Sequence, residues 1–481
     1  MNNSIWMADY SIKERDPLPG DITVDVLVIG GGMAGLLSAY LLQSQGARVA
    51  VIEADRTAMG ITKNTTAKIT SQHHLIYDKL ITKFGEEKAL QYAQANESAI
   101  KKYKEIIQNN NIDCNFEEKP AFVFNKKDTT NIEKEVKAAQ KLNIPASFTT
   151  QTKLPFDIKG AVVFNNQAQF NPIKFLNKIA ENLTIYEKTM ANEIKKDTVI
   201  TDKGNIKAQN IVVATHYPFM NTPGYYFLRV HQERSYVLAL KNTPQIDGMY
   251  IDEDDKNGFS FRNYGEYLIF GGGAHRTGNN DAGGKYKKLE DAAKLYYPDC
   301  DIQFKWSAQD CVTVDNVPYI GRYSSDTPNL YVATGFNKWG MTSSMAAAMI
   351  LTDYIMGRKN ENAEIFNPQR FNVAASAKNL AIDVANLTSA LVIKKLDIPE
   401  QTIDEVPKNQ GKIIDYQGEK VGVYKNEKGE AFLVSVKCPH LGCELKWNPD
   451  ELSWECPCHG SRFSYNGELI DNPARRGITI E

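Results

Sequence analysis

The sequence predicts an α/β dinucleotide-binding fold interrupted by an antiparallel sheet, with a separate metal-holding module behind it. Three features predict this. Residues 24–53 read as strand, glycine-rich turn, helix, strand and acid. Residues 330–356 read as a strand that ends on glycine and runs into a helix. Four of the seven cysteines and two of the seven histidines in 481 residues fall within residues 438–459. A chain of this length exceeds what one hydrophobic core supports, so two or three domains are expected.

In chain order, Val24-Asp25-Val26-Leu27-Val28-Ile29 is a short apolar strand of the kind buried on both faces. Gly30-Gly31-Gly32-Met33-Ala34-Gly35 follows at once and opens an apolar helix over 36–45. A second strand, 49–52, ends on Glu53. Gly30, Gly32 and Gly35 let backbone approach a pyrophosphate, and the helix N-terminus adds partial positive charge. Glu53, about 20 residues on, is placed to accept from ribose hydroxyls, and an acid there disfavours a 2′-phosphate and hence NADP.

Residues 61–68 form a hydroxyl-rich loop suited to pyrophosphate and ribityl contacts, with Thr65, Thr66 and Ala67 as candidates alongside Arg56. Residues 86–109 are helical in composition, 122–124 and 161–164 read as strands, and Gln169-Phe170-Asn171-Pro172 opens a helix. Residues 235–240, 259–262 and 267–273 read as antiparallel strands. The late strand 211–215 ends in small residues, including Thr215. The last strand stops at Gly335, and Trp339, Gly340, Met341 and Thr342 lead into an Ala- and Met-rich helix. Its N-terminus can stabilise negative charge on a reduced flavin, which favours FAD over NAD. Residues 374–395 carry Leu380, Val384, Leu387 and Leu391 at helical spacing, as a docking helix would. Their few basic residues argue against a membrane-surface helix.

The C-terminal loops read Cys438-Pro439-His440-Leu441-Gly442-Cys443 and Cys456-Pro457-Cys458-His459-Gly460-Ser461. Two cysteines and two histidines can hold a structural zinc ion. They can equally hold a [2Fe-2S] cluster, with Cys438 and Cys456 on one iron and His440 and His459 on the other. Zinc needs neither the additional Cys443 and Cys458 nor the Gly-Ser that follows the last histidine.

These loops, with Gly467-Glu468-Leu469 and Asp471-Asn472-Pro473-Ala474 behind them, resemble the Rieske ferredoxin family, over about residues 403–481. The likeness is to its disulfide-bearing branch, which implies a Cys443–Cys458 disulfide. Phe463 stands where high-potential members carry a Tyr that donates to a ligand sulfur, whereas Ser461 can still donate to a bridging sulfide. The resemblance therefore implies a potential below that of the respiratory proteins. The nucleotide motif, Thr313-Val314-Asp315-Asn316-Val317-Pro318-Tyr319-Ile320-Gly321 and residues 335–342, in that order, resemble the D-amino-acid oxidase/glycine oxidase (DAO) superfamily over about residues 22–358.

Together the two likenesses imply an α/β FAD-binding fold (Rossmann-like, glutathione-reductase/DAO type) with an inserted antiparallel-sheet substrate domain, plus a C-terminal all-β Rieske domain. The FAD-binding parts are expected at about 22–85, 150–220 and 305–358, the substrate-domain parts at about 86–150 and 221–304, a linker at 359–402 and the Rieske domain at 403–481. In this superfamily the flavin accepts the hydride and the protein orients substrate, so the residues that matter are expected near the sheet. Arg262 suits a carboxylate clamp. Tyr236, Tyr264 and His275 are candidates for the pocket, His73 or His74 for the flavin ring, and Lys338 for the flavin pyrimidine. Cys311 is out of register for covalent flavin attachment.

A net charge of −2, with 42% hydrophobic and 24% charged residues, gives no electrostatic case for nucleic acid. No apolar run reaches transmembrane length, residues 1–21 lack a basic region followed by an apolar one, and a cytoplasmic protein is expected. The function expected is a dehydrogenase that takes a hydride from an amine or amino-acid-like molecule to FAD and passes single electrons through the cluster to an external acceptor. The alternatives are a reductase running in reverse, or an electron-transfer or redox-sensing protein without small-molecule turnover. An oxygenase would need a mononuclear iron held by two histidines and a carboxylate, and no such spacing occurs among the remaining histidines.

Overall fold

A computed structural model describes residues 4–8, 12–370 and 403–480. The expected docking helix at 374–395 lies outside the described residues. The nucleotide motif folds as expected: Ile22–Ile29 pairs in parallel with Val49–Ile52 on one side and Asn205–Val213 on the other. Val26 to Ile29 are all buried: Val26 and Val28 pack with the helices on one face of this central strand, and Leu27 and Ile29 pack with Ala191, Val199 and Tyr217 on the other. The sheet runs Tyr319–Arg322, Leu330–Thr334, Asn205–Val213, Ile22–Ile29, Val49–Ile52 and Thr184–Tyr186. Helices Met33–Ser44 and Gly340–Ile355 pack side by side against it.

The second sheet has nine strands and forms the roof. Its order begins Asp301–Thr313, Val230–Lys241, Tyr267–Arg276, Phe259–Tyr264 and Met249–Asp252, and continues through Glu117–Asn125 and Gly160–Gln169 to Lys68–Ile69. The expected boundaries need correcting here. Gly160–Gln169 pairs with Glu117–Asn125 and so belongs to the roof, not to an FAD-binding part that opens at 150. Asp301–Thr313 likewise pairs with Val230–Lys241, so the roof extends past 304. The apolar run at 161–164 identifies a strand but does not name its sheet, which is decided by pairing partners far away in sequence.

The C-terminal domain consists of a three-stranded sheet, Gln410–Tyr416, Glu419–Lys425 and Ala431–Ser435, and a four-stranded sheet from Lys446–Asn448 to Leu469–Asp471. It sits on the roof through buried charge. Arg234 of Val230–Lys241 donates to Glu451 at 2.7 Å and lies 3.8 Å from Glu455, and Arg462 also pairs with both acids. Side chains of Arg234 and Glu455 are 1% and 0% exposed. Removing one partner of such a network leaves a charge in a low-dielectric site. Arg234→Met is therefore expected to destabilise the docked domain by about 3 kcal/mol, which denaturant unfolding followed through the C-terminal tryptophans would measure. Among the described residues no helix is long and apolar enough to cross a membrane.

Candidate redox site: a dinucleotide cavity walled by the cluster domain

Between the parallel sheet and the roof lies a cavity of about 960 Å³, at the upper end of the range for cofactor sites. Gly30, Gly32, Ala34, Glu53, Arg56, Thr65, Thr66, Thr215, Trp339, Gly340 and Met341 all line it. Gly35, Ala67, Gly335 and Thr342 stand one layer back. A Cβ on Gly35 would lie 1.9 Å from the Gly30 carbonyl oxygen, so its absence sets how closely helix and strand pack. Gly335 has φ 69°, and a Cβ there would lie 2.2 Å from Thr313. The Thr342 hydroxyl donates to Thr70 O at 2.8 Å.

The Glu53 carboxylate accepts from the Gly31 and Asp55 N–H groups at 2.8 and 2.9 Å, and burial raises its pKa. Gly32 has no heavy atom closer to its notional Cβ than Thr62 Oγ1 at 3.5 Å, which leaves backbone open to the cavity. Thr62 also accepts the first helical N–H, from Met33, at 3.2 Å. Glycines open to the cavity, two helix N-termini and an acid at the end of the second strand are the donor set that a dinucleotide of the FAD type needs. Arg56 lies at the rim, but Glu187 at 2.9 Å and Glu14 already hold its guanidinium.

The roof supplies the other wall. Tyr236 lines it, yet its hydroxyl points away, to Asn280 at 3.2 Å and Asn448 at 3.4 Å. Lys338 lines it and is paired with Glu233 at 3.0 Å. Three expected pocket residues, His275, Arg262 and Tyr264, do not reach the cavity. His275 alternates with Ala274, which does, so its ring faces the other side of the strand and stacks on Tyr236 at 5.7 Å. Arg262 is fully buried under Trp6, 5.2 Å from the ring, with Nε and Nη1 unpartnered. Tyr264 packs edge-on against Trp6, with ring centroids 4.7 Å apart. The N-terminal segment causes this: the Trp6 indole N–H donates to Thr65 O at 2.7 Å and seals that end.

His73 stacks behind Trp339 at 5.0 Å, and burial lowers its pKa to about 3, whereas His74 is on the wall, 3.2 Å from Asp255. Cys311 also reaches the wall, its thiol pushed up to about 12 by burial and held by Thr334. Several wall residues were not anticipated: Lys68, Asp252, Asp254, Asp255 and Asp310. Lys68 lies in the hydroxyl-rich loop and could have been named with it. The aspartates carry no local signal, because only the folded sheet brings residues 252–255 and 310, which lie on or beside strands that do not pair with each other, to one cavity.

In the C-terminal domain the two loops meet. Cys438 and Cys456 are 2% and 1% exposed and in hydrogen-bond contact, which with the Ser461 hydroxyl and backbone N–H groups brings Cys438 down to about 7. The rings of His440 and His459 lie 4.9 Å apart and nearly perpendicular. Burial lowers His440 to about 4, its Nδ1 is buried without a hydrogen-bond partner, and its Nε2 lies 3.0 Å from Asn221 Oδ1. Two adjoining thiols and a neutral imidazole nitrogen with nothing to bind are what a cluster with mixed sulfur and nitrogen ligation requires. Cys443 and Cys458 form a disulfide with Cα atoms 6.6 Å apart. The sulfurs of Cys443, Cys456 and Cys458 lie within 4.8 Å of one another, but two of them are bonded to each other, so this trio backs the ligand rather than forming a ligand set. Phe463 is fully buried. Phe463→Tyr would put a hydroxyl near the cluster loops and is expected to raise the reduction potential by on the order of tens of millivolts, as read by a redox titration of the visible spectrum.

Cavity and cluster loops thus define a flavin-dependent oxidoreductase with an iron–sulfur domain, and comparison with known proteins agrees. Residues 25–354 match the DAO family, FAD dependent oxidoreductase, and residues 398–480 match the Rieske [2Fe-2S] domain. The chain belongs to the DAO family of FAD-dependent oxidoreductases and carries a C-terminal Rieske [2Fe-2S] domain. It is 36% identical to YhfW of Bacillus subtilis (strain 168), named a Rieske 2Fe-2S iron-sulfur protein, over 98% of this chain and 95% of that one. It is 22% identical to gamma-glutamylputrescine oxidoreductase of Escherichia coli (strain K12), over 71% of this chain and 86% of that one. The fold resembles the crystal structure of glycine oxidase from Geobacillus kaustophilus, with a TM-score of 0.61 and 16% identity over 73% of this chain and 99% of that one.

Proposed function

We propose that the protein is a dehydrogenase acting on the CH–NH or CH–NH2 group of an amine or amino-acid-like small molecule and delivering electrons singly to an external acceptor. Bound FAD supplies hydride acceptance, and the cluster, held by Cys438, His440, Cys456 and His459, supplies one-electron transfer. The observation that carries this reading is that residues of the cluster domain and of the nucleotide motif line one cavity. An enzyme that simply handed electrons to oxygen would need no such arrangement. In this reading the glycines, Glu53 and the residues 65–66 and 339–341 hold the dinucleotide.

The charge of the roof supports a cationic amine. Asp252, Asp254, Asp255 and Asp310 line the cavity; Lys338 is engaged by Glu233, Asp252 is paired with Lys126 at 3.4 Å, and the His74 ring lies 3.2 Å from Asp255. Burial drives Asp310 up to about 7, with Lys338 and Arg234 pulling it down and Glu233 pushing it up. Asp310 therefore gains its charge as pH rises through about 7, and it attracts an ammonium group only above that. KM for an amine is expected to fall as pH rises through that value. Asp310→Asn should abolish this step and raise KM about tenfold, the effect of losing one partly buried charge pair. A KM that stays flat across this range in the native protein would contradict the assignment. The test of the class itself is anaerobic flavin bleaching by a panel of amines, amino acids and hydroxy acids. Bleaching by amines supports the reading, and bleaching only by hydroxy acids or by no organic donor refutes it.

A further inference from the structure

The cavity for the flavin is closed on one side by the cluster domain. Leu469, Ile470, Asn472, Pro473, Ala474 and Arg475 line it, although they lie beyond residues 25–354, the part of the chain that matches the flavoprotein family. Leu469 and Ile470 keep 36% and 46% of their surface uncovered, a large apolar exposure for neighbours on one cavity wall.

Three clasps hold this segment against the flavoprotein. The Arg475 guanidinium donates to the Ala191 carbonyl at 2.5 Å, to the Asn192 carbonyl at 2.8 Å and to Asn192 Oδ1 at 2.9 Å, and Ala191 lines the same cavity. The Asn472 amide donates to Thr215 O at 2.9 Å, and Thr215 is on the wall too. The Gln232 amide donates to both Asn472 O at 2.8 Å and His459 O at 2.9 Å. On its far side the segment is tied to the cluster loops, since the Ala474 N–H donates to Ser461 Oγ at 2.9 Å.

We propose that residues 469–475 are a flavin-retaining wall, so that the C-terminal domain is part of the FAD site and its docking is coupled to FAD binding. A dinucleotide behind this wall leaves only when the clasps open, so whatever holds the wall also holds the cofactor. By linkage, FAD must stabilise the docked wall by the same factor. The competing view is that this surface is a contact between domains only and that the glycine-rich motif and helix termini retain FAD unaided. The inference is independent of the amine substrate, because both tests below read binding without turnover.

FAD is titrated into flavin-free protein by fluorescence quenching. Arg475→Ala, a partly exposed position, should raise the dissociation constant at least fivefold while the visible spectrum of the cluster is retained. A change below twofold with the cluster intact would overturn the proposal. The native protein gives a second test that requires no variant, hydrogen–deuterium exchange with and without FAD. Amides in 469–475 should exchange at least fivefold more slowly when FAD is present, and unchanged exchange there would overturn it.

Discussion

Cys456→Ser protein is expected to be purified yellow but without the cluster spectrum. Cys456 is 1% exposed, touches Cys438 and backs onto the disulfide, so its loss removes one of two sulfur ligands from a site with no spare thiol. Cys443 and Cys458 cannot substitute while they are bonded to each other. The amide of Cys456 donates to Ser461 O and its carbonyl accepts from Gly460, and serine preserves both contacts. The loop should therefore persist and FAD should stay bound. Substrate should still bleach the flavin at close to the native rate, while turnover with a one-electron acceptor should fall at least a hundredfold, a barrier increase of about 2.7 kcal/mol. Absorbance of the flavin and of the cluster, recorded on one sample, separates the two effects.

Gly35→Val should have the opposite signature: a cluster without flavin. The added Cβ meets the Gly30 carbonyl oxygen at 1.9 Å, and Val28 at 3.3 Å blocks retreat. Helix Met33–Ser44 must move away from strand Ile22–Ile29, and its N-terminus then no longer faces the pyrophosphate position. Overpacking of this kind costs about 1–3 kcal/mol before any cofactor is considered, and the displaced glycines should weaken FAD binding at least a hundredfold. Equilibrium dialysis against FAD measures this, and the cluster spectrum serves as the folding control.

The parts of the molecule that were legible in the sequence were the local ones. The turn from Ile29 to Gly35, the acid at Glu53 and the two Cys/His loops carry their chemistry within a few residues of one another, so spacing alone reveals them. The roof was readable as strands but not as a surface with two faces. His275 and Ala274 are neighbours, and pairing register alone decides which one meets the cavity. Arg262 was a reasonable carboxylate clamp until Trp6, more than 250 positions away, covered it; nothing in residues 4–8 announces that role. The same holds for Asp252 and Asp310, and for residues 469–475. The Asn472-Pro473 loop reads as an iron–sulfur feature, and only the docked structure shows that it also faces the flavin cavity.

The central claim is that flavin and cluster form one redox unit serving an amine oxidation. Its most direct test is an anaerobic rapid-mixing experiment on native protein that holds both cofactors. An amine that bleaches the flavin should, in a later phase of the same reaction, produce the electron paramagnetic resonance signal of the reduced Rieske cluster, with one spin for each cluster reduced. Flavin bleaching with the cluster left oxidised over many turnovers would contradict the account.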